Sequence, residues 1–525
     1  MVKYNANFLF IIFLYFLNLI YINNNNLKTS KNEGLLNPII QNKYIKLNKY
    51  NIYIDNIDNF FASKNLIIIS NKNGICNDSN TIFFKPIYPK TPYHYIKFQS
   101  KKISLKLNDN KEMQPTFFSK KNGTRTIFLE KLGFKLNNSM SFHNLYLAPS
   151  HFNKTFKKYL KEYIIDSSQK INKYLNHEEY TSKSLLYMNY KIYEEKYPLD
   201  FDYMLETYSY PEDKDMIERK FKNYRLKNNN NDNVWMIKPK DLYCGLSIEI
   251  LDNFSKIKRN NYIITKYLHN PHLINGFKYD LRFHGLVSSI KPLKLYLYNE
   301  GLVRLASEKY NFSSVSIHQN KFVFLTNLYV NIKNKNKFIY PQNLTNMEES
   351  NLWNLETFQN YCARNNIQYN KLFYEVGDIF IKAIFSVRKK IIDEIKRNGF
   401  YSENFYHLIG FDIILDKNLK PYLLEMNNEC GFRDDNDAEK YFTYNIFVDT
   451  LNIIGIKSNE FNAIIRKKKN KDFRDNLEDN ICELNRPRGG YELIFPLKKN
   501  IEKYKKFYGK KIPEEDLEFW KHLIE

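Results

Sequence analysis

The stretch PYLLEMNNECGF, residues 421 to 432, ends an apolar run with Glu425 and Asn427 two positions apart. In an extended strand residues i and i+2 project to the same face, so this carboxylate and this amide point together. Asp412 lies on the preceding run HLIGFDIILD, and the connection KNLKP turns the chain back, which predicts a hairpin with Asp412 roughly opposite them. Carboxylates flanked by IGF, IIL and YLL are costly to desolvate unless paired. Magnesium relieves that cost, because it takes hard oxygen ligands and shares its shell with substrate phosphates. A strand end running out into a polar loop accounts for the same spacing, and both readings stand at this level.

Other residues add to the first reading. VWMIKPKDLYCGLSI places Lys238 at the end of an apolar strand, with a loop reaching Gly245. A lysine there can act as a point charge on a phosphate while loop amides cradle the rest; an ordinary strand and loop reads the same way. KYDLRF alternates Lys278, Asp280 and Arg282 along one strand face, which suits an inward polar site and equally a solvated face. EGLVRLAS contributes Arg304, and FLTNLYVN contributes Thr326 and Asn327.

The elements that must position these residues form an α+β order. Runs such as SIEIL, YIITKYL and LKLYLYNEGLVRL are β-rich. FNKTFKKYLKEYI (152 to 164) has helical spacing, and KLFYEVGDIFIKAIFSVRKKIIDEI (371 to 395) is the best helix in the chain. The chain has 525 residues, 43% hydrophobic and 16% aromatic, with net charge +23, enough apolar content for a large core. Its bias toward Asn, Lys, Ile, Tyr and Phe suggests A/T-rich codons, which weakens arguments from lysine counts. A chain this basic attracts polyanions, yet no RNA- or DNA-binding signature accompanies the charge, so a nucleic-acid partner is not expected. Cys76, Cys244, Cys362, Cys430 and Cys482 are scattered without a CxxC pair, which argues against a disulfide framework or zinc knuckle.

These pieces, in this order, resemble the tubulin–tyrosine ligase-like family, which is built on an ATP-grasp fold. The resemblance runs from about residue 125 to about 500. It rests on WMIKP, ITKYLHNPHLINGFKYDLRFHGLV, LYLYNEGLVRLASEKY, LTN, GFDIILDKNLKPYLLEMN and GGYELIFP. It implies an α+β, ATP-grasp-like fold with a nucleotide held between two sheet-containing subdomains. Asp412, Glu425 and Asn427 match the family's magnesium ligands, and Lys238 the lysine on the ATP phosphates. Lys266, Tyr267 and Leu268 match the hinge that grips adenine, and Lys278 and Asp280 match nucleotide contacts. Arg282 and Arg304 match positions near the γ-phosphate and the acceptor carboxylate. Thr326 and Asn327 match the following nucleotide-side strand, and Gly245 falls in the phosphate loop. That loop usually carries Arg-Gly-x-Gly, whereas here Cys244, Gly245, Leu246 and Ser247 stand. Thr265 replaces a usual Gln, Phe324 a common His, and Asn428, Glu429 and Cys430 replace the Ser-Pro after the metal-binding Asn.

The function this implies is an ATP- and Mg2+-dependent ligase that joins a free amino acid, glutamate foremost, to a carboxylate of tubulin through an acyl phosphate. Tyrosine and glycine ligation use the same machinery, and a non-catalytic microtubule-binding module is the alternative from another class. The expected partners are acidic tubulin tails and microtubules, and the expected location is cytoplasm and cytoskeleton. The apolar run NFLFIIFLYFLNLIYI (7 to 22) reads as a signal-like segment, a membrane anchor or a product of codon bias, so membrane contact there stays open. The expected organisation is an apolar segment over 1–30, a variable lead-in over 31–124, the ligase-like domain over 125–500 and a helical tail over 501–525.

Overall fold

The computed structural model describes residues 115–119, 123–137, 143–149, 154–164, 167–226, 234–240, 248–251, 260–312, 320–341, 347–431, 437–457 and 473–524. It also describes residues 152, 254 and 257 and five short strands between 43 and 107. The apolar run at 7–22, the loop holding Gly245 and the basic run at 466–471 lie outside the described residues.

Two sheets frame the site. The smaller comprises β1 (Thr207–Tyr210), β2 (Trp235–Pro239), β3 (Glu249–Leu251) and β4 (Tyr262–Lys266), antiparallel in the order β1-β4-β2-β3. Strand alternation splits it into two faces. Trp235, Ile237, Tyr208 and Ile264 pack on Ile217 and Phe221 of the helix Lys214–Leu226. Met236, Lys238 and Thr265 point the other way, into a cleft.

The larger sheet is organised by β5 (Phe277–Ile290), with β6 (Leu293–Tyr298), β7 (Leu302–Leu305), β8 (Leu352–Asn354), the hairpin β9 (His407–Leu415) and β10 (Pro421–Asn427), and β11 (Tyr491–Phe495). The first half of β5 pairs β7, its second half pairs β6, and β9 runs along its other edge. The hairpin forms as the alternation predicts. Asp416 fixes its turn by accepting from the backbone N–H groups of Asn418 (2.8 Å) and Lys420 (2.9 Å).

The long helix α1 (Tyr369–Arg397) forms as its periodicity predicts and lies across the large sheet, burying Phe380, Ile384 and Phe385. Phe380 stacks on Phe411 of β9, ring centroids 5.1 Å apart. Within the stretch read as lead-in, Thr81–Phe84 pairs with Ile456–Lys457, and Thr116–Ser119 joins a four-stranded parallel sheet with Lys135–Leu136, Leu145–Leu147 and Lys170–Ile171. The tail helix Glu514–Ile524 is tied to α1 by a buried ion pair, Arg388 to Asp516 at 2.6 Å.

Close approach of α1 to β5 requires Gly285. A Cβ there would sit 2.4 Å from the Phe380 ring. Gly285→Ala is expected to lower stability by about 1–3 kcal/mol through overpacking. Adding Phe380→Leu is expected to restore part of that loss; denaturant unfolding of the single and double variants checks both.

Candidate active site

The cleft between the two sheets holds about 810 Å³, part of it open to solvent. Lys278 and Asp280 of β5, Asp412 and Ile414 of β9, and Leu424 and Glu425 of β10 line one side. Met236, Lys238, Ile248, Thr265 and Lys266 line the other, and Tyr267, Leu268, Phe324, Leu325, Thr326 and Asn327 close the end. Most of the residues singled out in the sequence therefore meet in one place.

The hairpin register is what aims the carboxylates. Asp412 pairs with Glu425 and Gly410 with Asn427, but Ile413 pairs with Leu423. Leu424 is thus an extra residue, a β-bulge, and it turns two consecutive side chains, Leu424 and Glu425, into the cleft. Beyond the bulge Met426 returns to the core, so Glu425 and Asn427 share a face as alternation requires.

Cross-strand pairing also builds a charge network. Asp280 faces Arg304, and Arg282 faces Asp412. Arg304 donates from Nε and Nη2 to the two oxygens of Asp280 at 2.6 and 2.8 Å, and from Nη2 to Asp412 at 2.7 Å. Arg282 donates from Nε and Nη2 to Asp412, the latter at 3.1 Å. The Thr326 hydroxyl donates to Asp280 at 2.6 Å. Burial alone would raise the Asp412 carboxyl, but the two guanidinium groups hold it well below the usual carboxylate range. Neither arginine lines the cleft; both sit behind it as the clamp on its acids.

Lysines supply the opposite charge. Burial lowers Lys238, with Glu425 pulling the other way and Lys183 adding to the lowering. Burial brings Lys278 down to about 7 against the pull of Asp280. Lys278 donates to the Tyr267 hydroxyl and the Phe324 carbonyl, each at 3.0 Å, and lies 4.3 Å from the Tyr267 ring centroid. The lining carries Lys183, Lys238, Lys266 and Lys278 against Asp280, Asp412 and Glu425, two of which are already paired to arginine. Such a cleft favours a polyanion.

The donor set fits magnesium. Among the described residues the Glu425 carboxylate, which lines the cleft, makes no hydrogen bond or ion pair and is left for a cation. No group of three or more His, Cys, Asp or Glu that could hold a metal gathers among the described residues. A cation at Asp412, Glu425 and Asn427 therefore needs oxygens from a phosphate ligand, which is how magnesium is ordinarily shared. At the hinge, the Lys266 N–H donates to the Glu206 carbonyl (2.7 Å) and the Tyr267 N–H to that of Val234 (2.9 Å). The Leu268 N–H has no backbone partner among the described residues.

One expectation is corrected. Thr326 and Asn327 do not lie on a strand but connect the single helical turns Lys321–Phe324 and Leu328–Asn331. The Asn331 amide curls the chain by donating to the carbonyls of Leu325 (2.8 Å) and Asn327 (3.1 Å). Lys183, Leu205, Met236, Ile248, Leu325, Ile414 and Leu424 were not singled out as site residues. Met236 could have been found as the alternation partner of Lys238; Lys183, from the start of a helix far upstream, leaves no local signal.

Breaking the clamp tests its weight. Arg304→Met would leave Asp280 with Thr326 alone and Asp412 with Arg282 alone. Denaturant unfolding is expected to show a loss of about 3–5 kcal/mol, partly recovered by adding Asp280→Asn.

A family model described as the Tubulin-tyrosine ligase family matches residues 160–463. The human protein named tubulin monoglutamylase TTLL4 is 34% identical over 223 residues, 42% of this chain and 18% of that one. A probable beta-tubulin polyglutamylase of Tetrahymena thermophila is 27% identical over 301 residues, 53% of this chain and 25% of that one. The mouse protein named tubulin polyglutamylase TTLL5 is 30% identical over 222 residues, 42% of this chain and 17% of that one. The match thus spans a quarter or less of each of these relatives. With the family's model matched across more than half of the chain, and the α+β cleft in place, the chain belongs to the tubulin-tyrosine ligase family and has its ATP-grasp-like fold.

Proposed function

We propose that the chain is an ATP- and magnesium-dependent ligase that forms an amide between glutamate and a carboxylate of tubulin. The observation that carries this reading is the convergence of Lys238, Lys278, Asp412 and Glu425 on one cleft between two sheets. The names of the relatives support tubulin as acceptor and glutamate as donor.

In this reading the acceptor carboxylate takes the γ-phosphoryl group of ATP with loss of ADP. The donor amine then attacks the acyl carbon, its proton passes to solvent, and inorganic phosphate leaves. A bare carboxylate is a poor electrophile, and phosphorylation turns its oxygen into a leaving group. Asp412, Glu425 and Asn427 would hold magnesium, which neutralises charge on the phosphates. Lys238 adds a fixed positive charge beside them. The Leu268 N–H is the hinge donor available to adenine, between Met236 and Ile248 on one side and Ile414 and Leu424 on the other. Arg282 and Arg304 keep Asp412 ionised and fixed before the ligand arrives.

A basic enzyme is steered to acidic tubulin tails and microtubules, with an encounter that weakens as salt rises. Cytoplasm and cytoskeleton follow from that substrate. No helix among the described residues is long and apolar enough to cross a membrane.

The test is incubation with tubulin, Mg·ATP and each candidate amino acid, followed by mass spectrometry of the tubulin tails. Glutamate adducts are expected. Glu425→Gln and Lys238→Ala are each expected to slow their formation by about 10²-fold or more. Nucleotide binding without any adduct would instead favour a non-catalytic microtubule-binding role.

The state of Lys278 gives a pH signature. With its pKa near 7 in the free protein, it is charged below that pH and neutral above it. Phosphate binding favours the charged form, so nucleotide binding should take up a proton at alkaline pH. Affinity for Mg·ATP should fall by up to about tenfold per unit as pH rises from 7 to 9. Calorimetry in buffers of different ionisation enthalpy checks the proton uptake, and Lys278→Met should remove it.

A further inference from the structure

The pairing of β10 with β9 ends at Asn427, opposite Gly410. The next residues, Asn428 to Cys430, leave the ladder, and side chains hold them instead. The His407 Nε2–H donates to the Asn428 carbonyl (3.3 Å), the Cys430 thiol to the Leu408 carbonyl (3.0 Å), and Arg282 Nη1 to the Cys430 carbonyl (3.5 Å). The Asn427 side chain makes no hydrogen bond of its own among the described residues. Its direction is therefore set by the backbone on either side. On one side that backbone is the β10 ladder; on the other it is the peptide that His407 holds.

His407 is itself fixed from behind. It opens β9 opposite Val287 and is buried. A carbonyl only accepts, so Nε2 carries the proton; burial keeps the imidazole neutral, which leaves Nδ1 an acceptor. The Tyr180 hydroxyl donates to it at 2.6 Å from the one-turn helix Glu178–Thr181, 227 residues upstream. The His177 ring stands edge-on to that of His407, centroids 5.7 Å apart, and limits its rotation. One tautomer and one ring plane are thus specified, as in the outer hydrogen bonds that orient metal ligands. Neither Tyr180 nor His407 lines the cleft, so touching a ligand there is not their role.

We propose that His407, oriented by Tyr180, is a positioning residue that holds the end of β10 so that Asn427 completes the magnesium site. This rests on the ligase reading above, and its test does not need turnover. The relay reaches the metal position alone. Lys238 and the hinge at Lys266 to Leu268 lie on the other sheet, so nucleotide contacts there are independent of it.

The experiment titrates the full chain with Mn2+, followed by spin resonance of the free ion, in the presence of an ATP analogue with a β,γ-imido bridge. Affinity for that analogue without metal and thermal stability are measured on the same preparations. His407→Phe keeps a ring and removes both nitrogens, and is expected to weaken Mn2+ about tenfold with the metal-free nucleotide affinity unchanged. His407→Gln returns a donor toward Asn428 and is expected to bring Mn2+ affinity back to within about threefold of the unaltered chain. A packing role alone would be met by phenylalanine at least as well as by glutamine, so the order of the two variants is the signature. If His407→Phe does not fold, Tyr180→Phe removes a single hydroxyl and is expected to weaken Mn2+ about threefold. Unaltered Mn2+ affinity in folded His407→Phe, or an equal fall in metal-free nucleotide affinity, would overturn the proposal. An unaltered chain that binds no Mn2+ with the nucleotide would end the metal reading as well. The ligase reading fails separately, because absence of adducts on tubulin leaves the Mn2+ result intact.

Discussion

The arginine clamp on Asp412 is the constraint from which the site follows. A carboxylate this deep inside a sheet would ordinarily take up a proton rather than bear the cost of desolvation. Arg282 and Arg304 prevent that and use both of its oxygens. A carboxylate offers about four lone-pair directions, so two arginines do not exhaust it. The acid is therefore ionised and fixed in direction before any ligand is present. Removing either arginine would cost more than its own contact, since the remaining buried charge would be left short of a partner.

That clamp depends on register, and register depends on packing. Arg304 meets Asp280, and Arg282 meets Asp412, because β5 is held between β7 and β9 in one alignment. A slip of one residue would turn the polar side chains of β5 into the helix layer. The apolar residues between them, Tyr279, Leu281 and Phe283, are fully buried, so that alternative is closed. The two sheets are then latched to each other across the cleft. Lys278, on the large sheet, donates to Tyr267 at the end of the small one and to Phe324 beside it. One buried lysine thus joins the two walls.

The parts of this arrangement that could be read beforehand are those with a local period. The hairpin, α1 and the polar face of β5 each announce themselves within a dozen or so residues, by alternation of two or by helical spacing. Asp412, Glu425 and Asn427 could be placed on one surface for that reason. The bulge at Leu424 could not, because an extra residue in a strand shows only against its partner. The guanidinium pairings were hidden for the same reason: the sequence shows Arg304 and Asp280 on β-rich runs, and only the register makes them neighbours. Thr326 and Asn327 were misplaced because the resemblance implied a strand where the Asn331 amide folds the backbone back. Lys183 reaches the cleft from far upstream and carries no local mark at all.

Net charge illustrates the same limit from the other side. A charge of +23 describes the chain's attraction to polyanions at a distance, and salt screens most of it beyond about 10 Å. A handful of buried lysines escape that screening. Lys238 and Lys278 are desolvated. The surface lysines can drift with codon usage without altering the site, because their work is additive and diffuse. Those few sit in the low-dielectric wall of the cleft, where each interaction is stronger than on the surface. A basic composition thus acts on polyanions at long range, while the buried lysines set the charge of the cleft itself.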